Sequence, residues 1–436
     1  MTPTNDAAGR DPHLEFARRM DRSDGLAHFR RRFVGTEPEA GEPPVVAYLD
    51  GNSLGRPTIA SVERIQNFFT SAWGTRLIRG WEEEWMQLPL AIGDSLGRAV
   101  LGAAEGQTFV GDSTTVMLYK FARAAVDSRL SRPSTGMSRT EIVLDTDNFP
   151  TDRFVLEGIA AERGMTLRWI DSDTTAGVSP QQVAAAVGPQ TALVLLSHVA
   201  YRSGFLADVP EITRIAHDAG ALVLWDLCHS VGSVPIELDR WGVDLAVGCT
   251  YKYLNGGPGS PAFGYVRADI QDLLAQPVHG WMGTTDAFAM GAEYVPARGI
   301  RRFMSGTPAI VGMLAMQDTI AMIEDCGIDA VRAKSVALTE FAIALADEWL
   351  APLGATVASP RDSTRRGGHV TINHPAMREV ITLLWKQGVL PDYRDPNGLR
   401  IGLSPLSTSF EETHRGLAAV RDTLHGVLLR QSGLAR

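Results

Sequence analysis

Between about residues 140 and 250 the chain alternates short apolar runs, rich in β-branched residues, with stretches of helical period. The apolar runs are Glu141–Asp145, Met165–Ile170, Ala192–His198, Ala221–Asp226 and Val243–Cys249. Helical patterns Thr151–Arg163, Pro180–Val187 and Val209–Gly220 stand between them. Short strands spaced by helices are the mark of βαβ units, and so of a mostly parallel sheet with both faces covered. In such sheets ligands gather beyond the C-terminal ends of the strands, so the residues just past each run are where chemistry is expected.

Past Pro308 the pattern changes. Helical stretches Ala309–Asp325 and Ile328–Leu353 lead into a shorter α+β section with strand-like Gly368–Asn373 and Gly398–Leu403. The expected organisation is an N-terminal segment, 1–60, packing with the small domain, a large domain, 61–308, and a small α+β domain, 309–436. Glu42-Pro43-Pro44 reads as a connector, and the arginines at 18, 19 and 30–32, interleaved with acids, read as a solvated helix face.

Composition narrows the function. A net charge of −9 over 436 residues argues against a nucleic-acid protein, which needs excess cations to neutralise phosphates. No apolar run reaches the roughly 18–20 residues that span a bilayer, and the first residues carry no apolar signal core. Three cysteines, Cys228, Cys249 and Cys326, offer neither a disulfide framework nor a paired zinc-ligand pattern, so no metal is expected. A soluble cytoplasmic protein is the expectation.

Lysine is scarce. Of 41 basic residues only Lys120, Lys252, Lys334 and Lys386 are lysines. Arginine stays protonated, so chemistry that needs a free amine has four candidates. Lys252 stands out. It follows the run Val243–Cys249, precedes the loop Leu254-Asn255-Gly256-Gly257-Pro258-Gly259, and lies 26 residues after Asp226, itself at a strand end. A strand-end aspartate also serves as an ordinary turn cap, but the pair suits pyridoxal phosphate. That cofactor takes a lysine as Schiff-base partner and a carboxylate to keep its pyridine nitrogen protonated. Lys120, Lys334 and Lys386 sit in or near helical patterns, with no strand-end carboxylate upstream.

A phosphate is expected at a helix N-terminus. Asp112-Ser113-Thr114-Thr115, before the helical run Val116–Ala125, fits either such a cradle or an ordinary N-cap. Phe149, past the first strand, reads either as a ring stacked on a flat cofactor or as core.

Several blocks resemble kynureninases in order and spacing: Leu49–Gly55, Asp147–Asp152, Trp225–His229, Gly248–Gly259, Gly280-Trp281, Gly299–Phe303 and Gly306–Pro308. The resemblance implies a fold-type-I, aspartate-aminotransferase-like enzyme using pyridoxal 5'-phosphate. It also implies a homodimer with shared active sites, taking a small amino acid and binding neither nucleic acid nor membrane. The implied reaction is hydrolysis of L-kynurenine, or 3-hydroxy-L-kynurenine, to anthranilate or 3-hydroxyanthranilate and L-alanine, within tryptophan degradation or NAD synthesis.

By motif, Lys252 would hold the cofactor and then act as base, Asp226 would meet the pyridine nitrogen and Phe149 would stack on the ring. Asp152, Ser197 and His229 would line the site. Thr114, Thr115, Tyr251, Trp281 and Thr307 would serve the phosphate, the last two reaching the partner subunit's site. Tyr251 is also the candidate proton carrier. Arg400, with Ser53, would hold the substrate α-carboxylate, a task suited to a planar bidentate guanidinium. Departures at Thr284, Ser407 and the acidic stretch Gly80–Trp85 leave open a ring-modified kynurenine as substrate. A same-fold aminotransferase or cysteine desulfurase is the alternative, although a desulfurase needs a reactive cysteine on an exposed loop.

Overall fold

The computed structural model describes residues 11–36, 45–130 and 138–433, so the expected connector at Glu42-Pro43-Pro44 lies outside the described residues. A two-residue strand, β1 (Ala47–Tyr48), opens the strand order. There follow β2 (Thr108–Gly111), β3 (Glu141–Asp145), β4 (Thr166–Ile170), β5 (Thr191–Ser197), β6 (Leu222–Asp226), β7 (Leu245–Gly248) and β8 (Ala262–Val266). The later part adds β9 (Thr356–Val357), β10 (His369–Asn373), β11 (Val389–Leu390), β12 (Asp392–Arg394) and β13 (Gly398–Gly402).

The strands β2 to β8 form one seven-stranded sheet in the order β2-β8-β7-β6-β5-β3-β4. Neighbours from β7 to β4 run parallel, whereas β8 is antiparallel to both β7 and β2. The expected mostly parallel sheet is therefore present, and the strands read between 141 and 249 lie within a residue or two of their expected limits. β2 and β8 were not anticipated. β8 follows directly on the Gly- and Pro-rich loop that reads as a turn, and β2 is only four residues long.

Period-2 alternation explains the two covered faces. Val194 and Leu196 of β5 and Val223 and Trp225 of β6 enter one apolar cluster. Their neighbours Leu193, Leu195, Leu222 and Leu224 enter the other. Helices Thr114–Leu130 and Pro150–Arg163 cover the second face. The helix Val209–Asp218, capped by the Asp208 carboxylate on the Glu211 N–H, covers the first with Val209, Ile212 and Ala216.

A third cluster joins the four-stranded sheet β12-β13-β10-β9 to the long helix Phe410–Gln431. The N-terminal segment is shared between cores: Ala17, Ala47 and Leu49 enter this third cluster, but Leu26, Phe29 and Phe33 enter the first. Nor does the core change at Pro308. Met316, Ile320 and Ile323 of helix Met316–Cys326 still belong to the first cluster, and the third cluster takes over only from Leu338. No helix among the described residues is long and apolar enough to cross a membrane.

Candidate active site

The parallel strands deliver their C-terminal ends to one edge of the sheet. β3 ends at Asp145, β5 at Ser197, β6 at Asp226 and β7 at Gly248, four residues before Lys252. In the pairing of β5 with β6, Ser197 stands opposite Asp226. The Ser197 hydroxyl lies 3.5 Å from Asp226 Oδ2 and donates to Asn148 Oδ1 at 3.0 Å. Asp226 Oδ1 accepts the Cys228 N–H at 2.8 Å, so the same carboxylate both caps its own turn and faces the site.

Lys252 is buried, and its Nζ lies 3.0 Å from His229 Nε2. Burial, with the nearby charges of Lys252 and Arg400, pushes His229 well below the usual imidazole value, which keeps it neutral. Beside it, 5.8 Å ring to ring, is His369 of β10, whose two ring nitrogens have no hydrogen-bond partner among the described residues. Asp152 sits buried in the first turn of helix Pro150–Arg163. Burial and the neighbouring Asp226 raise its carboxyl well above the usual range, and its Oδ2 has no partner. Phe149, at the N-cap of the same helix, meets Tyr201 edge to face at 5.4 Å.

Arg400, on β13, has no exposed surface. Its guanidinium donates to the Tyr201 carbonyl at 2.8 Å, to Ser53 Oγ at 2.6 Å and to Asp392 Oδ2 at 2.6 Å. With the Asn52 amide oriented to satisfy its neighbours, Arg400 Nε also donates to the Asn52 oxygen at 3.1 Å. Asp50 lies 4.0 Å away, its carboxyl raised to about 6 by burial and by the charge of Asp392. The stretch Leu49–Gly55 reaches the site because Gly55 packs flat on the Lys252 turn. Its N–H donates to the Tyr251 carbonyl at 2.8 Å, and a Cβ there would run into the Lys252 carbonyl.

Lys252, Asp226, Ser197, His229, Asp152, Phe149, Arg400 and Ser53 thus belong to one connected neighbourhood. Tyr251 is half-buried over the Lys252 amine, 5.9 Å from its ring centre, with its phenol pushed up by burial and by the thiols of Cys249 and Cys228. Thr114 and Thr115 open helix Thr114–Leu130 as expected of either a cradle or a cap. Thr307 is exposed and lines, with Asp112, Ser113, Ser260 and Ser305, a cavity of about 340 Å³. Trp281 is half-buried against Phe288. Neither Thr307 nor Trp281 hydrogen-bonds to Lys252, Asp226 or His229 among the described residues.

Sequence reasoning missed Tyr201, His369, Asp392 and Asn52 at this site. Asn52 and Asp50 stood in the Leu49–Gly55 block and His369 in an expected strand, but only the fold brings them to Arg400 and His229. A second miss concerns Lys120. A strand-end carboxylate does precede it: Asp112, just past β2, lies 2.6 Å from its Nζ.

The donor set fits pyridoxal phosphate. A buried amine, a strand-end carboxylate, an enclosed carboxyl oxygen without a partner and an aromatic ring converge on one sheet edge. The cysteines do not present a desulfurase site, since Cys228 and Cys249 are buried and Cys326 ends a helix.

Comparison with known proteins agrees. Residues 124–390 match the aminotransferase class-V family. Among solved structures, a cysteine desulfurase from Thermococcus onnurineus superposes with a TM-score of 0.74 at 19% identity, covering 87% of this chain and 95% of that one. An alanine–glyoxylate aminotransferase from Nostoc superposes with a TM-score of 0.66 at 18% identity, covering 89% and 97%. At those identities the likeness is one of fold. The kynureninase of Pseudomonas fluorescens is 39% identical over 396 residues, 90% of this chain and 91% of its own. That of Burkholderia pseudomallei is 38% identical over 413 residues, 94% and 95%. On that likeness, which spans most of the chain, it belongs to the kynureninase family of class-V aminotransferase-fold enzymes.

Proposed function

We propose that this chain is a pyridoxal-phosphate-dependent hydrolase that cleaves L-kynurenine, or its 3-hydroxy form, to anthranilate or 3-hydroxyanthranilate and L-alanine. The observation that carries the reading is the convergence of buried Lys252, strand-end Asp226 and buried Arg400 around His229. When bound, the cofactor supplies an electron sink at the substrate α-carbon.

The chain's residues do the rest. Lys252 would hold the cofactor, and its amine would be the group placed to move a proton at the substrate α-carbon. Asp226 keeps the pyridine nitrogen protonated. His229, held neutral, leaves the amine beside it without a competing positive charge. Phe149 would stack on the cofactor ring, with Asp152, Ser197 and His229 lining the site. Arg400 and Ser53 orient the substrate carboxylate. Thr114, Thr115 and Tyr251 hold the phosphate, and Tyr251 is the candidate proton carrier.

The enzyme acts as a cytoplasmic homodimer. Trp281 and Thr307, assigned to the phosphate by family resemblance, would on that reading serve the site of the second copy. The test is direct: purified protein loaded with pyridoxal phosphate is given L-kynurenine and 3-hydroxy-L-kynurenine separately. Release of the matching anthranilate with an equal amount of alanine is expected. A keto acid in place of alanine, or no aromatic amine from either, refutes the reading.

A further inference from the structure

Lys120 is completely buried, yet the mechanism above makes no use of it. Its ammonium joins two separate segments of the chain. On one side it donates to Asp112 Oδ2 at 2.6 Å; on the other it donates to Ser305 Oγ at 3.0 Å and to the Phe303 carbonyl. Ser305 Oγ donates in turn to Asp112 Oδ2 at 3.4 Å, which closes the triangle. An ammonium has three N–H donors and no acceptor, so partners on two segments hold those segments at a fixed separation.

Both segments lead to groups assigned above to a phosphate. Asp112 is the corner between β2 and helix Thr114–Leu130, and it adopts a φ of 50°, a left-handed conformation that persists only where the surroundings fix it. It is fixed twice: its carbonyl accepts the Ala262 N–H at 2.9 Å, and its carboxylate meets Lys120. The corner starts the helix. Ser113 takes the Met117 N–H on its carbonyl at 2.9 Å and the Val116 N–H on its Oγ at 3.4 Å. Thr114 and Thr115 come next, with first-turn N–H groups that the helix itself does not satisfy. On the other segment Thr307 follows Ser305, and Asp112, Ser113, Ser305 and Thr307 line one cavity of about 340 Å³. Left alone, the Asp112 carboxylate would stand beside this helix start as a like charge to any phosphate; drawn onto Lys120, it is neutralised.

We propose that Lys120 is a positioning residue for the cofactor phosphate: it fixes the Asp112 corner against the Ser305 loop and so aims the start of helix Thr114–Leu130, without touching the phosphate itself. The inference rests on the reading that Thr114 and Thr115 hold that phosphate.

The experiment compares pyridoxal 5'-phosphate with pyridoxal, which shares the aldehyde and lacks the phosphate. The full-length chain, stripped of cofactor, is titrated with each, and the Schiff-base absorbance is followed. Lys120→Met is expected to raise the half-saturating concentration of pyridoxal phosphate about tenfold, the worth of one good hydrogen bond, and that of pyridoxal by less than about twofold. With cofactor in excess the absorbance persists. Ser305→Ala removes one contact and keeps the ion pair; it is expected to shift the same way by about threefold, and it carries the test should Lys120→Met fold poorly. Lys334→Met opens a different buried ion pair, and both of its titrations are expected to match those of the unaltered chain. Equal losses for the two ligands in Lys120→Met and Ser305→Ala, or no change in either, would overturn the proposal, as would the same selective loss in Lys334→Met. An unaltered chain that takes pyridoxal as readily as its phosphate would remove the phosphate site and the proposal with it. None of these readouts needs turnover of kynurenine, so they stand or fall apart from the choice of substrate.

Discussion

Three lysines are buried in this chain, and their surroundings differ. Lys120 has no exposed surface, and its Nζ is enclosed by Asp112 at 2.6 Å, Ser305 Oγ at 3.0 Å and the Phe303 carbonyl. Lys334 lies 2.6 Å from the buried carboxylate of Asp24. Lys252 has an imidazole nitrogen as its close partner. Burial depresses the first two, yet each has an anionic partner that restores the charged form and fixes the ammonium in place. Such a pair is a structural fastening. An amine facing a neutral imidazole has no fixed counter-charge to hold it, so it is free to exchange its bonding partner. Burial alone therefore does not mark a reactive lysine; the identity of the neighbour does.

The comparison can be broken at each lysine. Lys252→Ala should cut kcat by about 10⁴-fold, the upper range for a positioned acid–base group, and abolish the visible absorbance of the bound cofactor, with little change in melting temperature. Turnover near that of the unaltered chain would end the assignment. Lys334→Met should behave oppositely, costing about 3–5 kcal/mol of stability by leaving Asp24 buried and unpaired. Lys120→Met should cost about 3 kcal/mol, since Asp112 is partly exposed and recovers some solvation. In both, urea unfolding is the measurement and the cofactor absorbance should persist. Arg400→Lys should raise the KM for kynurenine roughly 30-fold, about 2 kcal/mol, because an ammonium cannot reproduce the fork; steady-state kinetics checks this.

The smallest effect extends the comparison to a buried base with no ionic partner. His198 packs edge-on against Trp225 and Trp241, its Nδ1 is unpaired, and burial lowers it to about 3. The unfolded chain protonates this imidazole below about 6.5 and the native state does not, so its contribution to stability falls as pH drops from there toward 3. The stability difference between the unaltered chain and His198→Phe should shift by about 2 kcal/mol against the former between pH 7 and 5. Urea melts at both pH values measure it; a constant difference would show that His198 is charged in the fold.

Legibility followed the range of the interactions. The parallel strands announce themselves because each is a continuous apolar run, and Asp226 and Lys252 follow because strand ends are where such a sheet exposes chemistry. β8 was hidden by its flanks, since Ala262–Val266 follows Gly257-Pro258-Gly259 and reads as the tail of a turn. Missing β2 had a direct cost: with no strand there, Asp112 had no strand end to stand on and Lys120 lost its partner. Tyr201, Asn52 and Asp392 escaped for another reason. They meet Arg400 through contacts spanning up to 348 residues, and periodicity carries no information about such pairings. Cys228 and Cys249 are the same case at shorter reach, the Cys249 sulfur meeting the Cys228 carbonyl at 3.7 Å just past the ends of β6 and β7.

The engagement of Arg400 has a thermodynamic corollary. Its fork is already occupied by Asp392, Ser53 and Tyr201. If Arg400 takes the substrate carboxylate as proposed, an anion arriving there would exchange with an internal rival instead of filling an empty berth. Net affinity would then be the difference between two ion pairs, favouring modest binding, quick product departure and rejection of uncharged mimics that have nothing to trade for the aspartate.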